Sequence, residues 1–405
     1  MTTLTFPPTR AEGLRRVAVF APLAGRDYTE GRNSDRGPDQ PAAVSLLSPY
    51  LRYRLITERE VVQAVLAKHS LSAAEPFVQE VLWRTYWKGW LEMRPDVWRR
   101  FLTERDHQRA HFPAQRSIEA AESGMTGIEG FDDWARELVA TGYLHNHARM
   151  WFASIWIFTL RLPWTLGADF FLRHLIDGDA ASNTLSWRWV AGLQTVGKTY
   201  LATSENIARF TQGRFAPKGL ATQAIALSEA PLDGVQSLPS FESNYGAKPS
   251  LILVTHEDLN PETVIRVSNS IKAALIVNAS GQLWGEAQSR FVQPALEDVA
   301  SRIKAHYRCD ATINHGFDPE AIILAAQAAG VNHIISPFAS IGPVADALAA
   351  LRAPLASAGI KLKLVPRAWD VQFWPHATKG FFPFKKQIPD GLVSQGLLKP
   401  HQVRE

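Results

Sequence analysis

The chain is 405 residues long, 46% hydrophobic and 20% charged, with 43 Lys and Arg against 39 Asp and Glu. That length exceeds what one compact core usually organises, so two domains are expected, and the composition excludes disordered and collagen-like chains. Cys309 is the single cysteine, which excludes an intramolecular disulfide or a cysteine metal cluster and fits a reducing cytoplasm. The mildly basic balance permits a nucleic-acid partner if the charge gathers on one face. No run has the make-up of a signal peptide, and no stretch of about 18 apolar residues lacks charge. The expectation is a soluble cytoplasmic protein with no membrane contact and no metal site.

Residues 1–40 mix a helical pattern with a loop, GRDYTEGRNSDRGPDQP, rich in Gly, Asp, Asn and Pro. After the segment AAVSLLSPYLRYRLITEREVV, the stretch EPFVQEVLWRTYWKGWL puts Glu80, Trp83, Arg84 and Trp87 on one helix face. His145 and Arg149 stand four apart, as do Asn146 and Met150, and each pair shares a face. Asp179, Asn183 and Trp187 then follow at i, i+4 and i+8, with Asp177, Gly178 and Asp179 as the helix start. Burying that stripe without partners costs several kcal/mol. It therefore either receives a flat polar guest or is an Asp-capped, aromatic-rich core helix.

Residues 221–249 lack periodicity and read as a linker. Beyond it, short apolar runs such as SLILVTH, AALIVNA and HIISPF alternate with amphipathic segments, the pattern of a doubly wound parallel α/β domain. No glycine-rich dinucleotide fingerprint is present there. The topological rule favours ligands at the strands' carboxyl ends, near Thr255 to Asp258 and Asn314 to Phe317. A purely structural or dimerising domain is the alternative. The expected division is 1–220 helical, 221–249 linker, 250–390 α/β and 391–405 tail.

Two gapped motifs in order, YLHNHARM at 143–150 and IDGDAASNTLSWRW at 176–189, resemble the flavin-binding core of the DNA photolyase and cryptochrome family. QEVLWRTY at 79–86 is similar to that family's NELIWREF, and VSLLSPYL to its TSRLSPYL, with Val44 and Leu46 departing from it. The resemblance implies a helical FAD-binding domain. FAD would be held by Tyr28, Ser45, Ser48, Arg84, Arg149, Asp177, Asp179 and Asn183, with the serines at a helix entrance that suits the diphosphate. It implies Glu80, Trp83, Asn146, Met150 and Trp189 as the groups facing a cyclobutane pyrimidine dimer in damaged DNA, and Arg149 paired with one of the aspartates.

Trp187 and Trp164 match the inner two members of the family's electron-transfer chain. His111 or Phe112 stands where the outer one is expected, and Trp134, Trp151 or Trp156 could substitute. His147 replaces an arginine that contacts phosphate, and Tyr200 is retained without the arginine after it, which leaves Lys198 or Arg209 for the DNA backbone. More faintly, LILVTHEDL, FVQPALEDVASRIKAH and ATKGFFPFKK resemble the family's antenna-type domain, normally first in the chain and here moved to the C-terminal side. A second antenna chromophore is possible there. The implied function is light-driven repair of pyrimidine dimers, and the alternative is a cryptochrome-like photoreceptor with a signalling partner.

Overall fold

The structure, a computed structural model, describes residues 5–38, 43–241, 248–266 and 270–403. The ends of the expected first and last segments and residues 242–247 of the expected linker lie outside these. The chain folds as a helical half followed by a five-stranded parallel α/β sheet.

Seven helices position the site: α1 (Ser48–Arg52), α2 (Leu71–Glu92), α3 (Pro95–His111), α4 (Asn146–Ser154), α5 (Trp164–His174) and α6 (Ala180–Val190) in the helical half, and α7 (Glu286–Tyr307) beside the sheet. Ser70 caps α2 by accepting from Ala73 N. From Thr85 to Glu92 every residue of α2 is buried, because this helix is surrounded on all sides. Its polar members there therefore need internal partners. Gly89 is required where α2 meets Trp374, since a Cβ would lie 2.8 Å from that ring.

The strands are β1 (Ser250–Val254), β2 (Ile271–Asn278), β3 (Asp310–His315), β4 (His333–Pro337) and β5 (Lys361–Val365), all parallel in the order β3-β2-β1-β4-β5. The central strands β1 and β4 are buried along their whole length, as apolar runs without alternation require, while the edge strands β3 and β5 are partly exposed. Side chains of β1 alternate between two cores. Leu251 and Leu253 pack under the helices α8 (Pro319–Ala328) and α9 (Pro343–Ser357), whereas Ile252 and Val254 join α7 and the helical half in one continuous core. Each such side chain contributes about 1.5–3 kcal/mol on burial, so the sheet is fastened to the helices rather than tethered.

After β5 the chain returns to α2 through α10 (Ala368–Phe373) and α11 (Phe381–Lys385). Trp369 Nε1 donates to Thr85 Oγ1 at 2.9 Å, and Leu392 and Leu398 are buried. The expected tail is thus anchored at Leu392 and Leu398, while Lys399 to Gln402 are exposed. Residues 221–241 have no regular structure yet lie along the helices: Leu227 N donates to Ala191 O at 3.0 Å, Gln236 N to Met93 O at 2.9 Å, and Glu229 pairs with the buried Arg188.

The carboxyl ends of β1 and β4 form the switch point of the sheet. Thr255 to Asp258 do not open onto a ligand crevice there. Glu257 binds Arg52 through both oxygens at 2.9 and 2.7 Å, Asp258 is held by Arg367 and Arg54, and Leu259 N donates to Tyr53 O at 2.9 Å. Docking of the helical half has used the groups that a ligand would have needed. Asn314 closes on its own turn, with Nδ2 3.4 Å from Gly316 O.

Candidate functional site

Asp179 is the N-cap of α6, its Oδ1 accepting from Ser182 N at 2.7 Å. That cap fixes the start of the helix and places Asn183 and Trp187 one and two turns further on, where they floor a cavity of about 450 Å³. The Asp179 side chain stands behind the cavity, where Oδ2 binds Arg84. Burial by itself would raise its pKa, but Arg84, Lys88 and Arg52 outweigh that and hold the carboxyl at about 2. Asp177 lines the cavity and engages Arg149 through both oxygens at 3.0 and 2.9 Å, one of the two pairings that the resemblance implied. Burial opposes ionisation here as well, and the guanidinium prevails, so the carboxyl lies below its ordinary value.

Opposite the floor, α2 contributes Glu80, Trp83, Arg84 and Trp87, and the first turn of α4 contributes Asn146, Arg149 and Met150. Tyr28, Ser45, Ser48 and Trp189 complete the lining. Of the residues expected to hold FAD or face the dimer, Asp179 alone is not on the wall, and of the two matched electron-transfer tryptophans Trp187 is on it and Trp164 is not. Leu46, between the two serines, has φ 53°, a left-handed conformation that is strained for a bulky residue. Strain of this kind clusters at ligand-holding loops.

Two expected contacts are already occupied. Phe381 stacks on one face of Trp83, with ring centroids 3.7 Å apart and an interplanar angle of 10°. Glu80 accepts from Arg32 Nη1 at 2.9 Å; burial raises its pKa and Arg32 only partly offsets this. His147, standing where an arginine was expected, is a packed ring. It stacks on Trp151 at 4.3 Å, its Nδ1 lies 3.0 Å from Asn33 O, and burial lowers its pKa, so it brings no fixed charge to a phosphate. Lys198 and Arg209 are both exposed.

Trp187 is buried, with Trp156 edge-on at 6.2 Å and Phe171 at 5.1 Å. Trp164 tilts against Phe101 at 5.7 Å instead. Trp134 and Trp151 stack on each other at 5.4 Å in a separate aromatic run. Among the described residues no group of three or more His, Cys, Asp or Glu is arranged to hold a metal, and no helix is long and apolar enough to cross a membrane.

Residues 77–219 match the family model described as the FAD binding domain of DNA photolyase. The chain is 36% identical over 170 residues to the deoxyribodipyrimidine photo-lyase of Streptomyces griseus, covering 42% of this chain and 36% of that protein. This region of the chain is therefore similar to the FAD-binding domain of DNA photolyases. A second relative, the deoxyribodipyrimidine photo-lyase of Alkalihalophilus pseudofirmus, is 30% identical over 188 residues, covering 46% of this chain and 38% of its own length. The crystal structure of a bacterial class III photolyase from Agrobacterium tumefaciens aligns with a TM-score of 0.43 at 28% identity, over 51% of this chain and 43% of that one. The chain therefore spans less than half the length of the relatives it matches.

FAD is the cofactor of this domain, and the cavity's donor set fits it. Ser182 Oγ and Trp187 Nε1 are buried without a partner among the described residues, and both residues line the cavity. Such orphans each cost about 1–3 kcal/mol unless a guest satisfies them. Asn183 donates Nδ2 to Ala168 O at 2.8 Å, which leaves Oδ1 as an acceptor for a ring N–H. The serine loop leads into α1, where hydroxyls and backbone N–H groups suit a diphosphate. Sequence reasoning missed Arg32 and Phe381. Arg32 sat in the DYTEGRN loop without a signal, and Phe381 lies 298 positions from the ring it covers.

Proposed function

We propose that the protein splits cyclobutane pyrimidine dimers in DNA, driven by light. The observation that carries this reading is that Glu80, Trp83, Asn146, Met150 and Trp189 line the same cavity as the flavin-holding Asp177, Arg149 and Asn183. Reduced FAD, when bound and photoexcited, supplies one electron to the dimer and takes it back after the ring opens. The chain's own residues hold and orient the reactants. Asp177 and Asp179 keep Arg149 and Arg84 fixed, the aromatic wall excludes water, and Glu80 stands on the same wall, where it can hydrogen-bond a base. A dimer is poorly stacked in duplex DNA, so extruding it costs less than flipping a normal base.

The test is repair of a dimer-containing oligonucleotide by the FAD-loaded, reduced protein under blue light. Glu80→Ala is expected to lower repair more than binding. Trp83→Ala should weaken both, by about 5- to 150-fold for one lost stack. Wild-type protein that neither prefers nor repairs the lesion at low salt sinks the reading. A photoreceptor that signals to a protein partner is then the better account, and a specific observation favours it: Phe381 on Trp83 and Arg32 on Glu80 occupy groups that a lesion would use.

Trp187→Phe is expected to abolish or greatly slow flavin photoreduction, and Trp164→Phe to act in the same direction. Unchanged kinetics in both variants would assign the electron route to Trp156 or another ring. We read the sheet as an antenna-type domain carried on the C-terminal side, supported by its parallel order and its packing on the helices. The interface at Thr255 to Asp258 leaves a second chromophore no place at that strand end.

A further inference from the structure

Residues 378–386 carry α11 along α2 beside the cavity and are fixed there at several points. Phe381 stacks on the cavity residue Trp83, Phe384 packs against Tyr86 with centroids 5.3 Å apart, Tyr86 Oη donates to Lys379 O at 2.7 Å, and Arg94 Nη2 donates to Thr378 O at 2.7 Å. Between the two buried phenylalanines, Phe382 is 79% exposed. It is the only exposed Phe, Tyr or Trp among the described residues. A single exposed apolar residue is ordinary on a protein surface. An aromatic ring held outward by a rigid segment, beside a cavity wall, is not accounted for by packing.

Charge identifies the kind of partner. The stretch from Val371 to Pro389 contains three lysines and no acidic residue. Lys385 pairs with Glu75 at 3.1 Å, whereas Lys379 and Lys386 are exposed and have no acidic partner among the described residues. A ring for stacking, flanked by free ammonium groups, is the chemistry that receives a nucleic-acid strand, with base on ring and phosphate on lysine.

We propose that this segment is a second DNA contact: Phe382 stacks on a base next to the extruded lesion, while Lys379 and Lys386 meet backbone phosphates of the same strand. The inference rests on the repair reading and adds to it a surface supplied by the chain beyond the sheet, outside the matched family region. The segment is clamped to α2 before DNA arrives, so little ordering cost opposes the contact.

The experiment uses the full chain loaded with FAD and a duplex oligonucleotide carrying one dimer, with Phe382→Ala and the double variant Lys379→Ala with Lys386→Ala. Loss of the stack is expected to weaken binding by about 5- to 150-fold. Loss of the two lysines should reduce the slope of log affinity against log salt by about 2. FAD uptake and the unfolding temperature should stay at wild-type values, because all three side chains are exposed. Wild-type affinity and salt slope in both variants, with the wild type itself binding the lesion, overturn the surface and leave the repair reading standing. A wild type that binds no DNA at low salt overturns both. If sedimentation shows instead that Phe382→Ala converts a dimer to a monomer, the face joins two copies of the chain and the proposal is wrong.

Discussion

Asp258→Ala is expected to lower the unfolding free energy by about 3–5 kcal/mol, the range for removing one partner of a buried ion pair. The Asp258 side chain is 1% exposed and takes Arg367 through both oxygens at 2.6 Å each, with Arg54 at 3.5 Å and Asn260 N at 3.1 Å. Burial opposes its charge, and Arg367 and Arg54 bring its pKa below the ordinary value. Truncation leaves the Arg367 guanidinium in the junction between sheet and helices with only Asn260 O and Thr263 Oγ1 to receive it. Arg54 keeps Asp370 at 2.6 Å and is less affected. The exposed pair Arg26–Glu30 supplies the contrast: its side chains are 86% and 63% exposed, and breaking it should cost under about 1 kcal/mol. Urea unfolding of the two variants measures the difference. A loss below about 1 kcal/mol for Asp258→Ala would mean that water reaches the junction and that the two halves are held by apolar contact alone.

What could be read from the sequence was whatever has a local period. The alternating short apolar runs and amphipathic segments are the sheet and its helices, and the stripe of Asp179, Asn183 and Trp187 is a capped helix on the cavity. In that stripe the Asp does both jobs that had been weighed against each other, since it caps α6 and its helix still floors a polar site. What could not be read was pairing between distant segments. Glu80 looked like a free carboxylate because Arg32 is 48 positions away, and Trp83 looked like an open stacking platform because Phe381 comes from beyond the last strand. Thr255 to Asp258 satisfied the rule for a ligand at the strand ends, but that rule does not say whether a neighbouring half of the chain has claimed the position. That Ile252 and Val254 face the helices while Leu251 and Leu253 face away follows from alternation along one strand, but which face meets the helical half is set by the packed structure.

His145, His256 and Glu92 together are expected to take about 3 kcal/mol from the stability between pH 7 and pH 4.5. His145 and His256 are each lowered from an ordinary 6.5 to about 4, burial being the main cause in both. His145 Nδ1 accepts from His147 N at 3.2 Å to cap α4, so its proton sits on Nε2. His256 lies edge-on to Tyr53 at 6.2 Å and is 1% exposed. A histidine whose folded pKa is depressed gives full stability above its unfolded value, and that stability falls as the pH drops from about 6.5 to 4, by roughly 3 kcal/mol for each ring. Glu92 works in the opposite direction. Burial raises its carboxyl from 4.5 to about 7, with Ile341 N donating to it at 2.6 Å, so its contribution is present at low pH and lost as the pH rises through 7. Over the shared window it offsets about one histidine, again roughly 3 kcal/mol, while Asp177 and Asp179, both held below the ordinary carboxylate value by neighbouring guanidinium groups, stay ionised. His256→Gln should therefore nearly flatten the decline, and Glu92→Gln should about double it, both read as urea midpoints at pH 7, 5.5 and 4.5. If Glu92→Gln leaves the wild-type decline unchanged while His256→Gln also has no effect, these groups exchange protons with solvent freely in the folded protein and burial does not govern them.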